Sequence, residues 1–227
     1  MVNNETGIIQ PIKSVRKINS MVNRFLHVDA IQALGKLPID VDELGIDLLS
    51  LSAHKVYGPK GIGCLWVRNR CLEDPEARFP YLGTPSVDLA LRFAAVVQRI
   101  NLPRYTLANQ DKEKVFLDTL GENLVHGLDF NILGAGPRVP GLFSLTLTGV
   151  DADTLVFILS EEGIMVSTGS ACKSKDKHPS HVLTEMGMTE EDINSTIRIS
   201  LGDMVSCEDV KQAALIIAAK AQEIRDG

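Results

Sequence analysis

Two short, largely apolar runs that stop abruptly at polar residues constrain this chain more than any other feature. Phe25 to Val28 gives way to Asp29-Ala30-Ile31-Gln32, and Leu48 to Leu51 gives way to Ser52-Ala53-His54-Lys55. A run of this length bounded this way suits a buried parallel strand, whose polar end then lies at the rim of a sheet. Upstream, Asn3-Asn4-Glu5-Thr6-Gly7 collects turn formers. Pro11, at the expected first helical position, then leads a stripe of Ile12, Val15, Ile18, Val22 and Phe25 at helical spacing. The spacing predicts a helix packed on a sheet built from strands near 25–28 and 47–52. Helix alternating with apolar strand is the pattern of an α/β protein.

The rest of the chain extends the pattern. Gly58-Pro59-Lys60-Gly61-Ile62-Gly63 makes a glycine-rich turn before a third strand, Gly63-Cys64-Leu65-Trp66-Val67, in which Cys64 reads as a small buried hydrophobe. The turn lacks the Gly-Lys-Ser/Thr ending of a P-loop and the spacing of a dinucleotide fingerprint, which argues against a nucleotide site. Prolines and glycines between about 70 and 85 predict an irregular connection. Leu89 to Ile100 reads as a helix that Pro103 interrupts, and Ala108 to Leu124 as another; the connection and both helices together read as the passage between two domains. Phe143 to Leu147 and Ile164 to Val166 read as strands, and Asp151 as the cap of a helix through Leu159. Thr189-Glu190-Glu191-Asp192 and Ser206-Cys207-Glu208-Asp209 fit helix starts. After the second, Val210, Ala214, Ile217, Ala221 and Ile224 recur at helical spacing and should bury against a second sheet.

The chain's 227 residues allow one large domain or two small ones, with ample material for a core. A formal net charge of −6 argues against a broad nucleic-acid footprint. No apolar run is long enough to cross a bilayer and no signal-peptide pattern opens the chain, so a cytoplasmic protein is expected. The four cysteines form no CxxC pair, so neither a zinc knuckle nor a disulfide framework is indicated. Cys172 stands apart in Ser167-Thr168-Gly169-Ser170-Ala171-Cys172-Lys173-Ser174, where an adjacent lysine favours thiolate. A surface cysteine of no consequence is the other reading.

An acid at one strand end and a lysine at the next suit pyridoxal phosphate. The lysine forms a Schiff base, and the carboxylate keeps the pyridine nitrogen protonated so that the ring takes up electrons. The same residues also serve as ordinary polar strand ends, and the pair by itself leaves both readings open.

Five segments taken together resemble the cysteine desulfurases of the NifS and IscS type, in the aminotransferase class V group of pyridoxal-phosphate enzymes. They are Val2 to Gly7, His27 to Lys36, Ser52 to Gly61, Ser167 to Cys172 and Ser195 to Gly202. The resemblance implies part of the large domain of a fold type I (aspartate aminotransferase-like) α/β protein over 1–100. A small α+β C-terminal domain with the catalytic-cysteine loop would follow over 101–227. By the same resemblance Lys55 forms the Schiff base, Asp29 pairs with the pyridinium nitrogen and Gln32 reaches the phenolic oxygen. Ser52 and His54 hold the phosphate, Asn4 lies beside cofactor and substrate, Arg198 grips the substrate carboxylate, and Cys172 is the nucleophile. Thr84 corresponds to a threonine that reaches the phosphate of a neighbouring subunit.

The implied reaction converts L-cysteine to L-alanine and leaves a persulfide on Cys172 for a sulfur-acceptor protein, either an iron–sulfur scaffold or a tRNA-thiolation partner. A homodimer is implied, and no intrinsic metal, although Cys172 is a candidate transient iron–sulfur ligand. Two departures accompany the match. The family's portion before Asn4, with its opening strands, a phosphate-binding turn and a histidine stacked on the cofactor, has no counterpart here. Nor does its glycine-rich, arginine-containing loop, at 78–83. A selenocysteine lyase-like enzyme, or a partial family member acting as a binding or dimerisation module, are the alternatives. Ser170-Ala171-Cys172 favours the desulfurase, whose reaction needs a sulfur-accepting cysteine.

Overall fold

The computed structural model describes residues 1–21, 24–72, 84–125, 128–169 and 179–227. Cys172 and the 78–83 loop lie outside the described residues. The chain divides into two compact units, Met1–Val2 with Ile9–Arg104, and Asn3–Ile8 with Tyr105–Gly227.

In the first unit, Pro11 stands immediately before α1 (Ile12–Ser20), and its carbonyl accepts the first helical hydrogen bonds, from Ser14 N and Val15 N. The apolar stripe is not the buried face that its spacing predicts. Ile12 is buried, but Val15 and Ile18 are 42% and 69% exposed and Phe25 lies beyond the helix, also exposed. What α1 contributes is Arg16, whose Nη1 donates to the buried carboxylate of Asp47 at 3.1 Å.

Strands β1 (His27–Asp29) and β2 (Leu48–Ser52) pair in parallel with His27 opposite Leu48 and Asp29 opposite Ser50. β3 (Gly63–Val67) adds antiparallel to β2, giving the order β1-β2-β3. Alternation along the strands sends Val28 and Leu49 into the core and puts His27, Asp29, Ser50 and Ser52 on the opposite face. Cys64 is exposed, contrary to its expected burial, at the open start of β3, which among the described residues pairs with β2 alone; Cys71, on the short α2 (Asn69–Leu72), is buried. α3 (Val87–Val97) is capped by the Ser86 side chain, which accepts from Leu89 N, and lays Phe93 against Ala53 and Val56.

α4 (Leu102–Asn123) includes Pro103 instead of stopping at it. At the second residue of a helix the missing N–H removes no intrahelical bond, so the proline opens the helix. The second unit is built on the antiparallel sheet of β4 (Phe130–Ile132), β5 (Leu142–Leu147) and β6 (Thr196–Ser200), in that order. All six residues of the central β5 are buried. α5 (Ala152–Glu161) starts at Asp151, whose carboxylate accepts from Thr154 N at 2.8 Å. After it, Ile164 to Val166 makes no strand, and only Ser167 bridges to Arg198.

Two short helices, α6 (His181–Glu185) and α7 (Glu190–Asn194), precede β6 and are capped by Ser180 and Thr189. α8 (Cys207–Asp226) opens with the reciprocal Ser206–Asp209 capping box and buries Val210, Ala214, Ile217 and Ala221. These join Leu155 and Leu159 of α5, Phe116 of α4, and Phe143 and Leu145 of β5 in one core. Phe116 and Phe143 meet edge to face at 5.8 Å. No helix among the described residues is long and apolar enough to cross a membrane.

Candidate functional site

The first unit gathers Asp29, Gln32, Ser52, His54 and Lys55 around the ends of β1 and β2. Asp29 ends β1, and its Oδ1 accepts from Ile31 N at 2.8 Å, which turns the chain sharply so that Ala30 and Ala33 are fully buried beneath it. Gln32 follows in this turn, its Oε1 accepting from Lys36 Nζ at 2.8 Å. The other polar atom of that amide is a double donor.

β2 runs directly into a single 3₁₀ turn, Ala53–Val56, that buries Ala53 and Val56 and leaves His54 and Lys55 exposed. The Ser52 hydroxyl and His54 Nδ1 lie 2.8 Å apart. The turn closes through Tyr57 in the left-handed region (φ 64) and a hydrogen bond from Gly58 N to Ala53 O at 2.9 Å. Gly58 is required by close approach, since a Cβ there would lie 2.8 Å from Ala53 O. Among the described residues, Lys55 makes no hydrogen bond or ion pair. On the polar face, His27 Nε2 and Ser50 Oγ are 2.7 Å apart, beside Asp29, an arrangement that the spacing of single residues did not signal.

Sequence reasoning also passed over Asp47, on which this geometry depends. Its side chain is 1% exposed and sits between Arg16 at 3.1 Å and Arg68 at 3.8 Å. It also accepts from Leu26 N at 2.9 Å, which fixes the chain just before β1. Arg68 in turn donates to the carbonyls of Val41 and Ile46 and lies over the Trp66 ring. A buried acid preceded by Gly45-Ile46 and balanced by arginines far away in sequence carries no local signature. Thr84 is exposed, two residues before the cap of α3.

The second unit holds Asn4 and Arg198. Asn3 Oδ1 accepts from Glu5 N and Thr6 N at 2.9 and 3.0 Å, and Gly7 adopts φ +73 against the Leu142 carbonyl, which explains the opening Asn-Asn-Glu-Thr-Gly as one tight turn. Arg198 lies half-buried on β6 opposite Ser144, and its Nη1 reaches Asn4 O at 3.4 Å. Among the described residues, no group of three or more His, Cys, Asp or Glu is placed to hold a metal ion.

Comparison with known proteins bears on the family and the fold. A family model for aminotransferase class-V matches residues 1–213. The cysteine desulfurase IscS of Methanosarcina thermophila is 35% identical over 99% of this chain, a match that covers 57% of that relative. A NifS-like protein of Rickettsia africae superposes with a TM-score of 0.79 at 25% identity, over 99% of this chain and 61% of that one. A structure described as SspA in complex with cysteine matches with a TM-score of 0.65 at 32% identity, over 88% of this chain and 56% of its own. The chain therefore spans a little over half the length of the relatives it matches. With this mixed α/β architecture shared by NifS-like fold type I proteins, and with the family model spanning both units, the chain belongs to the aminotransferase class-V family.

Proposed function

We propose that this chain carries the residues of a pyridoxal-phosphate-dependent cysteine desulfurase, which takes sulfur from L-cysteine, releases L-alanine and holds the sulfur as a persulfide on Cys172. The observation that carries the proposal is the exposed Lys55 turn at the end of β2, next to the parallel strand that ends in Asp29. Relatives named cysteine desulfurase over nearly the whole of this chain, and one solved in complex with cysteine, support the choice of substrate.

The donor set fits the cofactor. Lys55 offers an exposed amine, and Asp29 a carboxylate for the ring nitrogen. Gln32 has its oxygen engaged by Lys36, which leaves its NH2 group for a phenolate oxygen. In the tautomer where the Ser52 hydroxyl donates to His54 Nδ1, the ring proton sits on Nε2 and is available to a phosphate oxygen. Bound there, the cofactor supplies a carbonyl carbon that captures amines and a ring that withdraws electrons.

The chain's own groups then divide the work. Asp29 holds the proton on the ring nitrogen, and Lys55 moves the proton at the substrate α-carbon. Arg198 grips the substrate carboxylate with its planar fork. The Cys172 thiolate attacks the substrate sulfur: an S–S bond forms, the C–S bond breaks with its electron pair left on carbon, and that carbon takes a proton to become alanine. A sulfur-acceptor protein, an iron–sulfur scaffold or a tRNA-thiolation partner, consumes the persulfide. Thr84 serves the phosphate of a second copy in a homodimer, and the domains divide as large-domain residues over 1–100 and a small domain over 101–227.

Absorbance and alanine release test the proposal. Lys55→Ala removes the yellow band of the cofactor-loaded protein, whereas Cys172→Ala keeps the band and abolishes alanine release from cysteine. A wild-type chain that stays colourless with added cofactor overturns the reading in favour of a binding or dimerisation module. Turnover of selenocysteine without cysteine turnover favours a lyase.

A further inference from the structure

A half-buried lysine needs an account when the group it reaches is neutral. Lys36 Nζ donates to Gln32 Oε1 at 2.8 Å, and both residues are half-buried. An ammonium only donates, so the atom it meets must be the amide oxygen, and the Gln32 NH2 group is turned to the other side. Among the described residues that NH2 group has no hydrogen-bond partner. On an open surface such a pair would add little to stability. What sets this one apart is where its turn is seated.

Residues 30–37 coil into one turn, with Ala33 N and Leu34 N donating to Ala30 O, and Lys36 N and Leu37 N to Ala33 O. Gly35 lies within it at φ +75, and a Cβ there would come within 2.9 Å of Val56 Cγ1. Only glycine lets the turn sit this close to the residue after Lys55. From the same turn Leu34 packs on the cluster of Ala53, Val56 and Phe93. Gln32 and Lys36, four residues apart, share one side of the turn. The pair is thereby fastened to the 3₁₀ turn that carries Lys55, and β1 with Asp29 leads directly into it.

We propose that Lys36 is a positioning residue for the phenolic oxygen of the cofactor: by holding Gln32 Oε1 it keeps the Gln32 NH2 group, and not the carbonyl, available to that oxygen. The proposal rests on the pyridoxal-phosphate desulfurase reading. The ammonium also draws electrons through the amide, which makes its N–H groups stronger donors to a phenolate.

Absorbance on the loaded chain and amide dynamics on the unloaded one test this. The yellow colour requires a proton on the nitrogen that Lys55 contributes, and the phenolate beside it helps to hold that proton. A donor and a cation that stabilise the phenolate compete with the proton, so their loss raises the pH at which the yellow fades. Lys36→Met raises this midpoint by about one pH unit, the tenfold change given by one charge-assisted hydrogen bond, while Lys36→Arg, which still donates to Gln32 Oε1, stays within about 0.3 unit of wild type. The adjoining titratable groups are His27 and Asp29 on β1, His54, Lys55 and Tyr57 at the 3₁₀ turn, and Arg99 after α3; all are present in every variant and cancel in the comparison. In the unloaded chain, nitrogen-15 relaxation of the Gln32 side-chain amide gives an order parameter that falls below about 0.6 in Lys36→Met but not in wild type or Lys36→Arg. A midpoint that Lys36→Met leaves in place overturns the proposal, as does a Gln32 amide that stays equally rigid without Lys36. Should Lys36→Met fail to fold, Lys36→Ser, polar but too short to reach Gln32, is read by the same two criteria. A wild-type chain that takes up no cofactor ends the desulfurase reading by itself, and amide order in the unloaded variant still judges the anchor, an unchanged value overturning it.

Discussion

Asp47→Ala tests the frame under the first half of the candidate site. In the folded chain the carboxylate accepts from Leu26 N at 2.9 Å and from Arg16 Nη1 at 3.1 Å, with Arg68 Nε at 3.8 Å. Alanine leaves the buried Leu26 N–H without this acceptor, a loss of about 1–3 kcal/mol. It also breaks an ion pair whose arginine side chains are 28% exposed and can turn to water, which limits that part to about 1 kcal/mol. The sum is about 3 kcal/mol. Asp47→Asn keeps one oxygen for Leu26 N and loses only the charge, so it should cost clearly less. The single tryptophan, Trp66, lies on β3 opposite Leu49 and under the Arg68 guanidinium, so its fluorescence reports on this sheet. With a urea slope of about 1.5 kcal/mol/M, the alanine variant's midpoint should fall by about 2 M. Alanine and asparagine midpoints that both stay within about 0.3 M of wild type would refute the reasoning, since β1 would then be held by strand pairing alone.

Other perturbations reach the remaining parts. Gly58→Ala places a Cβ 2.8 Å from Ala53 O, so the Lys55 turn must open; cofactor uptake followed by absorbance should weaken at least about tenfold, with thermal unfolding of the second unit unmoved. Gly7→Ala combines φ +73 with a Cβ 2.0 Å from Leu142 O and should cost upwards of about 3 kcal/mol, read by urea unfolding in the far ultraviolet. The Asp209 carboxyl is held below the usual aspartate range, first by the Ser206 hydroxyl and then by its backbone N–H, and Asp151 likewise by Thr154. Because both are depressed on folding, their stabilisation is complete above the unfolded value of about 3.9 and is lost as the pH falls through the folded values. Ser206→Ala should therefore move the acid unfolding midpoint, followed by circular dichroism, to higher pH.

What the sequence disclosed was local. The β1 and β2 runs, the Asp151 cap and the Ser206–Asp209 box with its Val210-Ala214-Ile217-Ala221 stripe each involve neighbours within a turn or two, and each appears as expected. The misreadings involve partners distant along the chain. Helical spacing at Val15 and Ile18 says which face is apolar but not whether anything covers it, and both remain exposed. An apolar run predicts a strand at Cys64, while its exposure follows from the open start of β3, which among the described residues pairs with β2 alone. Ile164 to Val166 has strand composition, yet only Ser167 meets a partner. Near the site, Asp29 and Lys55 were legible as polar residues where two apolar runs end, and Gln32, Ser52 and His54 were singled out only through the family resemblance, whereas the burial of Glu5 and Asp47 had no local signal.

Those two buried acids have a common logic. Each unit places part of its candidate site on irregular backbone, the turn from Asp29 to Gln32 and the Lys55 turn in one and the Asn3–Gly7 turn in the other, where no long hydrogen-bond ladder fixes the chain. A carboxylate accepts several hydrogen bonds at once, so a single buried acid can fasten segments that share no strand pairing. Asp47 does this for Leu26 and Arg16, and Glu5 links Ser180 to the turn that its own carbonyl ties to Ser144. An apolar side chain in either place would bury as much surface but would leave the turn free to slide, because packing is non-directional where a hydrogen bond is not. It follows that Asp47→Ala should weaken cofactor uptake at the Lys55 turn, followed by absorbance, while Glu5→Ala should leave that uptake unchanged. A Glu5→Ala variant that weakened cofactor uptake as much as Asp47→Ala does would mean that the acids support general stability and do not set the geometry of the turns.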